Sequence, residues 1–77
     1  MNILITGCLG HIGSFILPKL LKKKNHKVIG IDSNFNNNLN TIYNLKKKNF
    51  TFFLENLKKF EYKKKISNID IIIHLAS

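Results

Sequence analysis

The stretch Gly7-Cys8-Leu9-Gly10-His11-Ile12-Gly13 constrains this chain more than any other. An apolar run, Ile3 to Thr6, leads into it, and an amphipathic run, Ile12 to Lys24, leads out. A strand, a glycine turn and a helix in immediate succession form a loop whose backbone can hold the phosphates of a dinucleotide. Gly7 lets the chain leave the strand through a geometry that a side chain would obstruct. Gly10 removes a Cβ where a pyrophosphate must approach, and Gly13 lets the helix pack closely on the strand. The first N–H groups of the helix, and its positive dipole end, then face the phosphates.

The spacing is Gly-x-x-Gly-x-x-Gly, and two further stretches accompany it: Val28-Ile29-Gly30-Ile31-Asp32 and Asp70-Ile71-Ile72-Ile73-His74-Leu75-Ala76-Ser77. On these residues the chain resembles the extended short-chain dehydrogenase/reductase family, the NAD-dependent epimerases and dehydratases of nucleotide sugars. The resemblance implies an α/β fold, a Rossmann-type doubly wound parallel sheet, here partial with four strands in the order 3-2-1-4. It implies that Gly7, Gly10, His11, Ile12 and Gly13 bind the cofactor. Asp32 stands nineteen residues after Gly13, at the place of the ribose-binding acid. A carboxylate there accepts from both adenosine ribose hydroxyls and repels a 2′-phosphate, so NAD is favoured over NADP. The absence of arginine points the same way. Ser33, Asn36 and Asn37 lie where the family places the adenosine; the same residues also read as an ordinary asparagine-rich loop. Where the family has Gly-Asp-apolar after strand three, this chain has Glu55-Asn56-Leu57, so Asn56 keeps an acceptor for adenine while Glu55 departs from the pattern. Leu75, Ala76 and Ser77 correspond to the strand end passing the pyrophosphate and the nicotinamide-side ribose.

Taken in order, the pattern predicts strands over Asn2–Thr6, Lys27–Asp32, Asn49–Leu54 and Ile71–Leu75. Helices are expected over Ile12–Lys24, Leu39–Lys48 and Leu57–Ile66. In the first, Ile12, Phe15, Ile16 and Leu20 form the apolar stripe, widened by Leu17 and Leu21; Pro18 should kink it, and Asn25 should cap it. Tyr43 and Lys47 have the spacing of the family's catalytic Tyr-x-x-x-Lys pair, but they sit between strands two and three, whereas the family's pair follows strand four. No catalytic residue is therefore assigned. His74, alone in an apolar strand, reads as a satisfied core residue, and no Cys/His/Asp cluster has metal-ligand spacing.

The charge of +9 comes entirely from thirteen lysines, nine of them in the triplets Lys22–Lys24, Lys46–Lys48 and Lys63–Lys65. Each triplet falls at the C-terminal end of an expected helix, where cations suit the macrodipole. Without arginine or interleaved aromatics, this reads as solvated helix ends and not as a nucleic-acid surface. Cys8 is the single cysteine, so no internal disulfide forms, which fits a reducing compartment. No signal peptide or membrane-length apolar run is present, and the cytoplasm is expected.

Seventy-seven residues are about half of a nucleotide-binding domain, so residues 1–77 are expected to be the N-terminal part of one. The expected function is the NAD-binding portion of a nucleotide-sugar epimerase or dehydratase that moves a hydride from a sugar carbon and back. By resemblance the full-length parent binds a nucleotide sugar and pairs as a homodimer, while the 77 residues alone are inactive and marginally folded. A non-catalytic NAD(P)-sensing protein and an inactive truncated remnant are the alternatives.

Overall fold

Four parallel strands follow from the apolar runs. A computed structural model of the chain describes residues 1–35, 39–55 and 68–75. The elements are β1 (Asn2–Thr6), α1 (His11–Leu21), β2 (Lys27–Asp32), α2 (Leu39–Leu45), β3 (Phe50–Leu54) and β4 (Ile71–His74). The sheet order is β3-β2-β1-β4, as the alternation of strands and helices requires for a doubly wound sheet. β1 is central, pairing with β2 from Asn2↔Lys27 to Thr6↔Ile31 and with β4 from Ile3↔Ile71 to Thr6↔His74. The chain leaves β1 to one side and β4 flanks it on the other, so the strand order reverses beside the carboxyl end of β1. Asn36, Asn37, Asn56, Leu57, Ala76 and Ser77 lie outside the described residues, as does the expected helix over Leu57–Ile66.

Successive residues of β1 point to opposite faces, and both faces are buried from Ile3 to Thr6. On one face Ile5, Val28 and Phe50 pack with Cys8, Leu17 and Leu21. On the other, Leu4 and Ile31 pack with Ile29, Phe53 and Ile69. α1 meets the first face through Gly13, Leu17 and Leu21, while Ile12 and Phe15 are 60% and 66% exposed. This corrects the expected stripe. Gly13 marks the line of closest approach, and the residues four and eight further on follow it inward; Phe15 instead lies under the Lys19 ammonium, 4.2 Å from its ring centre.

α1 runs unbroken through Pro18 but ends at Leu21, not Lys24, with Lys22 donating to the Pro18 carbonyl. Asn25 is not in the left-handed conformation expected of it, since among the described non-glycine residues only Asn68 has a positive φ. The cap comes from elsewhere: the Asn49 side-chain amide donates to the carbonyls of Leu21, Lys23 and His26 at 3.3, 3.4 and 2.9 Å. That role takes Asn49 out of β3, which starts one residue later than expected. α2 likewise stops at Leu45, where Lys46 and Lys47 turn back to Tyr43 and Asn44. Its buried side chains include Thr41 and Asn44, while Tyr43 and Leu45 are exposed.

β4 differs most from expectation. Ile71, Ile72 and His74 are exposed, so His74 is not a core residue. The strand lies at the margin of the described sheet, which leaves one of its flanks uncovered. It is tied to β1 at both ends. Asn2 N–H donates to the Asp70 carboxylate at 2.7 Å and Asp70 N–H returns a bond to the Asn2 carbonyl. At the other end Thr6 Oγ1 meets His74 Nδ1 at 2.7 Å.

Candidate functional site

The glycine loop lies at the carboxyl end of β1, held from three sides. Gly7 takes a φ of 69° and donates its N–H to the Ile31 carbonyl at 2.7 Å, which fastens the loop to β2. Gly10 N–H donates back to the Gly7 carbonyl at 3.1 Å, closing the turn. The Asp32 carboxylate accepts from Leu9 N–H at 2.9 Å through Oδ2 and from Asn34 N–H at 3.0 Å through Oδ1. Asp32 is therefore a strut between the glycine loop and the loop after β2, a role that residue spacing alone does not reveal. Two residues of the loop turn inward, Cys8 and Leu9, and the next three, Gly10, His11 and Ile12, face solvent.

Gly10 is the N-cap of α1, with no side-chain cap and no acidic residue in the first turn. The first intrahelical bond runs from Ser14 N–H to the Gly10 carbonyl. The start of the helix thus carries the positive end of its dipole toward the exposed side of the loop. A Cβ on Gly13 would stand 2.5 Å from the Gly7 carbonyl oxygen and 2.7 Å from that of Cys8. Gly13 is thus required by the backbone of the loop that directly follows β1. A Cβ on Gly10 would meet only the Gly7 oxygen, at 3.3 Å.

Gly30 has a role that its place in the stretch Val28 to Asp32 does not reveal. It lies in the middle of β2, where a Cβ would stand 2.7 Å from Cys8 Sγ and 2.9 Å from the Phe50 ring. The loop can sink its Cys8 side chain into the core only because Gly30 leaves the room; a glycine inside an otherwise β-branched strand is the signal that could have found it. Burial pushes the Cys8 thiol up to about 12, the Asp32 charge adds to the rise, and a backbone hydrogen bond opposes it. A thiol so placed is inert at neutral pH. The sign of its pH effect follows. The unfolded thiol loses its proton near 9.0 and the folded one near 12, so the unfolded state binds fewer protons between them. In that window Cys8 should lower stability by about 1.4 kcal/mol per pH unit. Urea titrations of the wild type and Cys8→Ala at pH 8 and pH 10.5 measure this, as a slope that the variant lacks.

Of the other expected site residues, Ser33 is exposed just beyond Asp32, and Leu75 adjoins the loop, its N–H 3.0 Å from the Thr6 carbonyl and 3.2 Å from Thr6 Oγ1. The Glu55 N–H donates to the Asp32 carbonyl, which extends the β2–β3 ladder past its last pair. Asn36, Asn37, Asn56, Leu57, Ala76 and Ser77 are outside the described residues. Tyr43 and Lys47 do touch, Nζ to Oη at 3.0 Å, and that bond, with the Lys47 charge, lowers the tyrosine pKa. They stand at the wrong end of the sheet: the Lys47 carbonyl accepts from Phe50 N–H at the start of β3, while the glycine loop follows the end of β1. Among the described residues no three metal-ligating side chains cluster, and no helix is long and apolar enough to cross a membrane.

The sequence profile of a family described as GDP-mannose 4,6 dehydratase matches residues 4–77. An uncharacterised UDP-glucose epimerase of Bacillus subtilis is 42% identical over 83 aligned positions, which take in 100% of this chain and 26% of that protein. UDP-glucuronic acid 4-epimerase of Bacillus cereus, solved with UDP-glucuronic acid and NAD, superposes with a TM-score of 0.85 at 32% identity, over 100% of this chain and 26% of the other. A dTDP-glucose 4,6-dehydratase of Bacillus anthracis in complex with NAD gives 0.79 at 28% identity, covering 100% and 27%. The chain therefore spans about a quarter of the length of the relatives it matches.

Proposed function

Because the chain belongs to the GDP-mannose 4,6-dehydratase family, among the NAD-dependent epimerases and dehydratases of the extended short-chain dehydrogenase/reductases, we propose that residues 1–77 are the NAD-binding part of a nucleotide-sugar epimerase or dehydratase. The observation that carries this reading is the pairing of an uncapped helix start, behind a glycine cradle that a Cβ would obstruct, with a carboxylate at the end of the neighbouring strand.

In this reading the loop from Gly7 to Gly13 holds the pyrophosphate, with the N–H groups at the start of α1 aimed at its oxygens. Asp32 has lone pairs beyond those given to Leu9 and Asn34, and these accept from the ribose hydroxyls. Its charge opposes a 2′-phosphate, and no arginine is present to offset that, so NAD is preferred to NADP. By resemblance, contacts to the adenosine side are assigned to Ser33, Asn36, Asn37, Asn56 and Leu57, and contacts to the nicotinamide-side ribose to Leu75, Ala76 and Ser77. Bound nicotinamide supplies a hydride acceptor that can return what it takes. The chain's own contribution is to bind and orient. The acid/base pair and the sugar site belong to parts of the parent outside these residues, since Tyr43 and Lys47 stand away from the loop. The nucleotide sugar, a homodimeric parent and a cytoplasmic location complete the proposal.

Titration calorimetry of the 77-residue chain tests it. Saturable one-to-one binding of NAD is expected, with NADP at least roughly tenfold weaker, a factor equivalent to about 1.4 kcal/mol. Equal affinity for both would overturn the role given to Asp32, and binding of neither by a chain that melts cooperatively would overturn the reading. No turnover of UDP-sugars by the 77 residues alone is expected.

A further inference from the structure

The amino ends of β1 to β3 and the carboxyl ends of both helices enclose a cleft of about 1070 Å³ at the end of the sheet away from the glycine loop. Six lysines line it, Lys22, Lys24, Lys27, Lys46, Lys47 and Lys48, and among the described residues no carboxylate does. We propose that this cleft is a second anion site, for a compact, multiply phosphorylated ligand. The proposal does not depend on the dinucleotide reading.

Six lysines bordering one concavity concentrate positive charge more than a spread of the same residues over the surface would. Lys47 is partly occupied, its Nζ lying 3.0 Å from Tyr43 Oη and 4.3 Å from that ring's centre. Lys22, Lys24, Lys27, Lys46 and Lys48 remain exposed. Helix carbonyl ends would normally repel an anion here, but the Asn49 amide, itself part of the lining, takes up the carbonyls of Leu21, Lys23 and His26. The site is thus positive and concave, and the carbonyls at the end of α1 are taken up by the Asn49 amide. Its volume suits a small molecule. Among the described residues the lining holds no aromatic side chain on which a base could stack, and the chain has no arginine fork, so it reads charge density and not base identity. A cluster of phosphates on a small scaffold fits that chemistry better than a nucleic-acid strand.

The test uses inorganic triphosphate as the probe, followed by calorimetry and by amide shifts of the 77-residue chain at 150 mM salt. Saturable binding is expected, with shifts confined to Lys22–Lys27 and Lys46–Thr51 and persisting when NAD is saturating. The double variant Lys46→Glu, Lys48→Glu should weaken triphosphate by roughly tenfold or more. It should leave the melting transition and NAD binding unchanged. Displacement of triphosphate by NAD would assign the binding to the glycine loop and overturn the proposal. So would unchanged affinity in the variant, absence of saturation, or preferential binding of a single-stranded oligonucleotide. Failure of NAD to bind while triphosphate shifts these residues would sink the dinucleotide reading alone.

Discussion

Replacing Gly13 with alanine is expected to abolish the NAD binding proposed for the loop and to remove about 2–4 kcal/mol of stability, the cost of forcing a methyl into a packed site whose neighbours cannot yield. The neighbours here are backbone: the Gly7 oxygen at 2.5 Å and the Cys8 oxygen and carbon at 2.7 and 2.8 Å. Relief requires that the loop rise off α1, which breaks the Gly7-to-Ile31 tie and lifts Cys8 out from under Gly30. Gly10→Ala is the companion variant. Its Cβ meets a single atom at 3.3 Å, so the loop gives by a few tenths of an ångström and the melt is nearly unchanged. That methyl projects from the exposed side of the loop, and NAD affinity falls all the same. Urea denaturation with calorimetry on both variants separates the two glycines. Equal stability of Gly13→Ala and the wild type would mean that the loop is not held as described.

Asp32→Ala carries the second large effect, and it acts on two quantities at once. Leu9 N–H and Asn34 N–H lose a charged acceptor, at about 1.5–3 kcal/mol for each such bond before water at this half-buried position compensates. A net loss of about 2 kcal/mol is expected in the unliganded chain. NAD affinity should drop by about a hundredfold or more, since the ribose contacts proposed for Asp32 and the loop's shape would be lost together. Asp32→Asn distinguishes the parts. It keeps one acceptor oxygen but turns a donor toward one of the two N–H groups, so stability should fall by less, while the proposed preference for NAD over NADP should collapse with the charge. A pure ribose ligand would change affinity and leave the melt alone; a pure strut would do the reverse.

Much of this arrangement is legible in the chain because it is local. The apolar runs Asn2–Thr6 and Lys27–Asp32 have the observed strand limits, and the sheet order follows from the repeated strand–helix alternation with short connections. The glycine spacing reports the loop because each glycine answers a constraint within a few residues of itself. What escaped is what joins distant segments. Asn49 caps a helix that ends 28 residues earlier, Thr6 meets His74 across 68 residues, and Gly30 makes room for Cys8. Nothing in spacing foretells such partners. The facing of α1 departs from its apolar spacing for a different reason: Ile12 and Phe15 are apolar and well spaced, yet Gly13 decides which side lies against the sheet. Exposure of His74 followed from the marginal position of β4, which apolar composition alone does not disclose.

The pairing of β4 with β1 has a kinetic consequence. The pairs Asn2↔Lys27 and Val28↔Phe50 close loops of roughly two dozen residues, whereas Ile3↔Ile71 closes one of nearly seventy. Loop entropy grows with the logarithm of length, so the last pairing costs only about 1 kcal/mol more than the others. It recoups that through four ladder positions and the two ties at its ends. β1, β2 and β3 can therefore assemble first as a cooperative unit, and β4 docks onto a finished edge. The two ends of the glycine loop's surroundings then mature at different times: the β2 side, with Asp32, is in place before the β4 side, with Leu75, arrives.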